Sequence, residues 1–342
     1  FKQKTAYEIM PSLVGSEMCI RDRFAFEWVD CVIENDVATI TINRPEAMNA
    51  LNESVVAQLQ TVVDEINAND AVSTIVLDGA GKAFVAGADV KFFVDKIRAN
   101  DIPAIEEFTV DGHRLLNSLE NSTKTTIALT TGLALGGGLE LALSCDYRIG
   151  TRKTQFRFPE TSIGIFPGLG GTQRPARISG IPAARWAVLA GNFMDSQTAA
   201  DLGLVTDLVD IADVESTIQS LKSKGKPANK YPGEPSNPQS KVAMFADAFY
   251  SDGNIKTILS GNCPEGFDLE DRNVARQMKS LSRTAPIALS MASDLIDAAG
   301  ETELPAGLSK ELANLEAIFS TADALEGLSA LIEGRKPTYQ NL

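Results

Sequence analysis

Apolar and polar positions divide the first two-thirds of the chain into short, recurring units. Residues 37–45, VATITINRP, alternate apolar and polar side chains and stop at Pro45, the pattern of a half-buried strand. Val55, Val56, Leu59, Val62, Val63 and Ile66 then share one helical stripe, which predicts a helix with Asn52 as its N-cap. A buried strand over 74–77 follows, then a turn through Asp78, Gly79, Ala80, Gly81 and Lys82, then an apolar stretch over 83–89. The order returns further on, with 126–135 and 147–150 strand-like and 140–144 helical. Repeated strand, strand, helix units predict an α/β layered spiral and not a single flat sheet. Residues 88–124 are mostly helical in pattern. Their apolar positions, among them Phe92, Phe93, Phe108 and Leu116, suit either core packing or a flap over a pocket. Residues 183–189 read as a helix, 196–202 as a short helix capped by Asp195 and ended by Gly203, and 205–209 as a strand.

After residue 210 the pattern changes. Pro227, Pro232, Pro235 and Pro238 lie among Lys, Asn, Gly and Ser in 223–241, which marks a linker or exposed excursion. Beyond it 245–259, 271–282, 287–299, 309–319 and 321–332 read as amphipathic helices. The predicted organisation is a core over 24–210, an inserted segment over 211–272 and a helical C-terminal region over 273–342. Residues 1–23 have no clean period and lack the apolar stretch and cleavage site of a secretory signal. They resemble a translated sequencing-adapter read that recurs in environmental gene models, so we treat them as non-native and begin the interpretation at Phe24.

At 342 residues, 44% apolar and 22% charged, the chain can bury a large core as a soluble globular protein. Its net charge of −14 and the lack of any long Lys/Arg run argue against nucleic acid and anionic membranes as partners. No stretch reaches the roughly 18 apolar residues of a membrane span, and a cytoplasmic location is expected. Cys19, Cys31, Cys145 and Cys263 have no CxxC spacing, so free thiols are expected in place of a disulfide framework or zinc site. His113 is the sole histidine and reads as a solvated helix residue.

Candidate chemistry sits in residues 131–174. Gly136, Gly137 and Gly138 follow an apolar run and precede the helix-forming Leu139 to Leu143, an arrangement that brings backbone N–H groups to a ligand oxygen at a helix N-terminus. That is half of an oxyanion hole. Glu140 and Glu160 flank it, and two carboxyls in different protonation states can move a proton in both directions. Alone, each signal is weak: a lone glutamate is ordinarily solvated and a glycine triplet ordinarily a tight turn. Neither the dinucleotide fingerprint after a strand nor a P-loop occurs.

Four ordered motifs are far more specific together: KAFVAGADVK (82–91), GLALGGGLELALSCDYRIG (132–150), FPETSIGIFPGLGGTQR (158–174) and DLGLV (201–205). This combination resembles the crotonase superfamily, specifically the enoyl-CoA hydratases, over about 26–210 and again over about 274–339. The resemblance implies a crotonase-like spiral of repeated ββα units with a helical C-terminal region. It places the oxyanion-hole donors at the N–H groups of Ala88 and Gly137. Glu140 would activate water for attack at C3, and Glu160 would deliver a proton to C2. Coenzyme A and substrate contacts would come from Arg44, Ala47, Ala50 and Leu51, from Ala86, Gly87, Asp89, Val90 and Lys91, from Gly136 and Pro159, and from Arg335 and Lys336. The implied substrate is an acyl-CoA thioester of fatty-acid β-oxidation, with no metal or redox cofactor, and the implied assembly is a homotrimer or a hexamer built as a dimer of trimers.

Two departures qualify that picture. Glu46 stands where many relatives carry a basic residue. Residues 211–272 resemble the inserted segment of 3-hydroxyisobutyryl-CoA hydrolases, yet those hydrolases generally lack a glutamate at the position of Glu140. The leading expectation is reversible syn hydration of a trans-2-enoyl-CoA to a 3-hydroxyacyl-CoA. The alternatives are an enoyl-CoA isomerase, alone or bifunctional, a 3-hydroxyisobutyryl-CoA-type thioester hydrolase and, least favoured, a CoA-binding protein without turnover.

Overall fold

The computed structural model describes residues 22–342. The reading of 1–23 as non-native falls outside them, except that Asp22 and Arg23 pair with Ile33 and Val32 at the edge of a sheet.

Two sheets form the core. The larger contains β1 (Asp22–Ala25), β2 (Val29–Glu34), β3 (Val37–Ile42), β4 (Thr74–Gly79), β6 (Thr125–Thr130), β8 (Tyr147–Gly150) and β11 (Asp207–Leu208), in that spatial order. The smaller has the order β10 (Met194–Asp195), β9 (Gln155–Arg157), β7 (Leu133–Leu135), β5 (Ala83–Ala86). Pairing is parallel from β3 to β11 in the first sheet and among β5, β7 and β9 in the second.

The helices are α1 (Glu53–Ala68), α2 (Val90–Arg98), α3 (Ile102–Glu120), α4 (Gly137–Ser144), α5 (Arg174–Ser179), α6 (Ile181–Leu189), α7 (Ser196–Asp201), α8 (Val214–Lys224), α9 (Lys241–Phe249), α10 (Ile255–Leu259), α11 (Arg272–Leu281), α12 (Pro286–Ala298), α13 (Leu304–Ala313), α14 (Leu315–Phe319) and α15 (Ala322–Glu333). The chain steps from the large sheet to the small one and back through helices: β4, β5, α2 and α3; then β6, β7 and α4; then β8 and β9. This is the predicted spiral of ββα units. Asn52 caps α1 by accepting from Val55 N, and the six stripe residues of that helix are buried.

Several boundaries differ from the expected ones. The stretch 126–135 divides at Thr131 and Gly132, because β6 and β7 belong to different sheets. Residues 245–259 split into α9 and α10 across a turn at 250–254, and 309–319 lie on α13 and α14, which meet at Asn314. The strand expected over 205–209 shrinks to β11. His113 is 4% exposed and not solvated, since it falls on the buried stripe of α3 with Thr109 and Leu116. Among the described residues, Cys31, Cys145 and Cys263 are free thiols, and no helix is long and apolar enough to cross a membrane.

The proline-rich segment after α8 is mostly exposed, as expected, and three of its side chains tie it to the core. Lys226 Nζ pairs with Asp146 at 2.9 Å. Lys230 Nζ lies 3.2 Å from Glu120 Oε1 and donates to the Ser144 carbonyl at the end of α4, at 2.6 Å. Tyr231 donates its hydroxyl to the same Glu120. Burial pushes Glu120 upward, but the charges of Arg174 and then Lys230 hold it below the usual carboxylate range. Lys230→Met, which keeps the aliphatic stem and removes the charge, should lower stability by about 1–3 kcal/mol, since it strips a buried carboxylate of one partner. An unchanged urea midpoint would show that the strap contributes nothing.

Candidate active site

The site grows out of the ends of three parallel strands. Ala86 pairs with Leu135 across β5 and β7, and Leu135 pairs with Arg157 across β7 and β9. Two residues past the first pair stand Ala88 and Gly137, and three past Arg157 stands Glu160, so motifs far apart in the chain emerge side by side. Ligand sites at the carboxyl ends of parallel strands follow the same geometric logic.

Local backbone structure frees the two expected donors. Leu51 N donates to Gly87 O and Asp89 N to Leu51 O, each at 2.8 Å, and this bridge leaves the Ala88 N–H outside the ladder. Gly137 is the first residue of α4, where N–H groups have no partner inside the helix. Neither N–H donates to another group of the described chain. A Cβ built on Gly137 would lie 3.9 Å from Ala88 N, so the donors adjoin one another.

The glycines here are required by space. Gly136 has φ +48°, and a Cβ on it would fall 2.2 Å from Glu160 Oε1. A Cβ on Gly138 would approach the Val85 carbonyl oxygen to 2.1 Å, so only glycine lets α4 pack this closely on β5.

The two carboxyls have different surroundings. Glu140 is 2% exposed, and its Oε1 accepts from Leu169 N and Gly171 N, each at 2.7 Å. Burial raises it to about 7, with the two N–H bonds and the charge of Arg174 opposing. Glu160 is 7% exposed and its Oε2 has no partner in the protein. Burial, and then the charge of Glu140, push it well above the usual carboxylate range. The two N–H donors on Glu140 favour its charged form and Glu160 Oε2 has no such donor, so the two carboxyls differ in the way that acid and base chemistry needs.

Both carboxyls face a cavity of about 240 Å³. Its polar end carries Ala88, Gly137, Glu140 and Glu160, and its apolar end Phe93, Phe108, Leu315, Phe319 and Leu328. Phe93 stacks on Phe319 at 5.3 Å. The C-terminal helices thus close the cavity of their own chain. Tyr339 secures the arrangement by donating to the Ser162 carbonyl at 2.7 Å, beside Glu160. Larger surface clefts of about 540 and 610 Å³ lie elsewhere, and no buried ionisable group lines either one.

Of the other expected contact residues, Ala86, Gly87, Val90, Gly136 and Pro159 line the cavity. Leu51 is buried behind Gly137, within 3.5 Å of where a Cβ on that glycine would stand. Arg44 lies outside the lining, 3.2 Å from Asp89 Oδ2 and donating to Ala50 O, with Ala47 in the turn just after it. Asp89 caps α2 by accepting from Lys91 N, and Lys91 is exposed. Arg335 is engaged by Glu326 and Glu333, and neither it nor Lys336 lines the cavity, which Leu331 of the preceding helix reaches. Among the described residues no set of three His, Cys, Asp or Glu gathers as metal ligands do.

Sequence reasoning missed the segment that holds Glu140 in place: the N–H groups of residues 169–172, and Glu311 and His113 behind them. The glycines at 168, 170 and 171 were its visible signal. For Glu311 the signal was a charged residue on the buried stripe of its helices, three residues after Leu308 and four before Leu315.

A sequence profile of the enoyl-CoA hydratase/isomerase family matches residues 37–341. The chain belongs to that family. It is 37% identical over 194 residues to the short-chain-enoyl-CoA hydratase of Clostridium acetobutylicum, covering 56% of this chain and 72% of that protein. It is 30% identical over 310 residues to a probable enoyl-CoA hydratase of Mycobacterium bovis, covering 90% and 96%. In fold it matches the crystal structure of an enoyl-CoA hydratase from Rhodobacter sphaeroides, with a TM-score of 0.78 at 24% identity over 92% of each chain. The family's spiral architecture is therefore shown by sequence and structure alike.

Proposed function

We propose that this protein catalyses the reversible syn addition of water to a trans-2-enoyl-CoA, giving a 3-hydroxyacyl-CoA, with Glu140 as base and Glu160 as acid. The observation that carries this reading is the meeting, in one cavity, of two free backbone N–H groups and two buried carboxyls, one held by two backbone N–H donors and the other with an unpartnered oxygen. The names of the relatives, short-chain-enoyl-CoA hydratase and crotonyl-CoA hydratase, point the same way.

The steps balance. The Ala88 and Gly137 N–H groups bind the thioester carbonyl oxygen and stabilise the negative charge that grows there as the enolate forms, each worth about 3–4 kcal/mol of barrier. The Glu140 carboxylate takes a proton from water as the oxygen bonds to C3, and the C2–C3 π electrons shift toward the thioester. Glu160 gives its proton to C2 from the same face. The proton on Glu140 then passes to Glu160, which restores the site. The addition is redox-neutral, and each proton has a named side chain to hold it.

Loss of enoyl absorbance on adding crotonyl-CoA tests the proposal. We expect turnover by the native protein and almost none by the Glu140→Gln, Glu160→Gln double variant; equal behaviour of the two would end it. Turnover of a 3-enoyl-CoA without hydration, or thiol release from 3-hydroxyisobutyryl-CoA, would assign the same pocket to isomerisation or hydrolysis.

A further inference from the structure

We propose that Glu311, in the helical C-terminal region, is a positioning residue for Glu140, acting through the loop 168–172. The inference rests on the assignment of Glu140 as the base. Four consecutive backbone N–H groups in that loop point alternately at two buried carboxylates. Leu169 N and Gly171 N donate to Glu140 Oε1 at 2.7 Å. Gly170 N donates to Glu311 Oε2 at 2.7 Å and Thr172 N to Glu311 Oε1 at 3.1 Å, and the Thr172 hydroxyl donates to the same oxygen. The loop is therefore a strip of backbone clamped between two acids from distant parts of the chain, and neither face can shift without moving the other.

The carbonyl side of the strip is also fixed. His113 Nε2 donates to Gly168 O at 2.7 Å, and Arg174 Nη1 donates to Leu169 O at 2.9 Å. Glu311 is fully buried, and the three groups bonded to it are all donors, the pattern of a bound carboxylate. His113 Nε2 stands 3.8 Å from Glu311 Oε2, close enough to contribute a dipole from the third side. Gly170 has φ +97°, and a Cβ on Gly171 would stand 2.7 Å from Glu140 Oε1, so both glycines let the backbone itself reach the carboxylates.

Glu311 lies beyond the loop from Glu140 and does not line the cavity, so its effect on the reaction is one of placement. Misplacing a reacting group by about 1 Å costs on the order of 10²-fold in rate. Glu311→Gln keeps the size of the side chain but turns an NH₂ group toward one of the N–H donors. It should lower kcat for crotonyl-CoA hydration by about 10- to 100-fold and leave KM within about threefold.

The decisive measurement is a double-mutant cycle on kcat with Glu140→Gln. If Glu311 acts through Glu140, removing it from the Glu140→Gln protein should cost less than about twofold, whereas a merely structural role would cost as much in either background. A folded Glu311→Gln protein with native kcat, a loss confined to KM, or full additivity would overturn the proposal. Should Glu311→Gln fail to fold, Thr172→Val takes its place by removing one of the three donors. A kcat loss absorbed in the Glu140→Gln background supports the proposal, and an additive loss or none refutes it. A Glu140→Gln protein with native kcat would instead overturn the assignment of Glu140 as base, so the two failures are distinguishable.

Discussion

Glu160→Gln should lower kcat for crotonyl-CoA hydration by about 10²- to 10⁴-fold while KM changes by less than about threefold. The amide matches the carboxyl in shape, so it can keep the packing beside Gly136, where the close approach of Oε1 leaves no room for a larger group. What it loses is the proton. Burial and the adjacent Glu140 favour the protonated form of Glu160, and its Oε2 has no protein partner to compete with a ligand atom. Glu140→Gln should fall in the same range for a different reason: its amide cannot take a proton from water, and it exchanges two charge-assisted bonds from Leu169 N and Gly171 N for weaker ones. In the proposed mechanism both residues serve one proton circuit, so the double variant should be little worse than the poorer single one. Retention of more than about a third of native kcat by either variant would remove that residue from the circuit.

Much of this was legible in the sequence because strand geometry converts linear motifs into position. Once three parallel strands pair in register at Ala86, Leu135 and Arg157, the residues two or three steps beyond must converge. The motifs around Ala88, Gly137 and Glu160 therefore carried the polar half of the site. The apolar half was less legible. Phe93 and Phe108 fit core packing and pocket lining equally well on periodicity, and Phe319 and Leu328 join them only through the folding back of α14 and α15.

The charged strap is mostly exposed, as its four prolines and many polar residues predict by composition. Composition carries no information about the buried Glu120 that Lys230 and Tyr231 reach. The C-terminal helices complete the cavity of their own chain, and Glu311 brings a carboxylate to the back of the loop that holds Glu140.

Stability should fall as pH rises from 6.5 to 8, by about 1–2 kcal/mol, because the site confines carboxyls that hold protons well above their unfolded values. The sign follows from which state binds the proton. Burial raises Glu140 to about 7 in the folded protein, against about 4.5 when unfolded, and Glu160 is raised in the same direction. Between those limits the folded state keeps protons that the unfolded state has released, so raising the pH favours unfolding. His113 has the opposite sign: burial lowers it to about 4, and stability is lost as pH falls below 6.5. Between pH 6.5 and 8 it still adds about 0.4 kcal/mol as the last unfolded imidazolium is lost, too little to offset the carboxyls. The buried Cys31 and Cys145 thiols, raised by burial to about 12, begin to act only above pH 9.

Urea midpoints at pH 6.5 and 8 measure the effect, with Glu160→Gln and Glu140→Gln alongside. Each amide cannot ionise and should flatten the slope, so the variants that lose most activity should gain stability at pH 8 relative to the native protein. A native protein whose midpoint holds steady or rises across that window would mean that these carboxyls are ionised at ordinary cost, and Glu160 could not then arrive at C2 carrying the proton assigned to it.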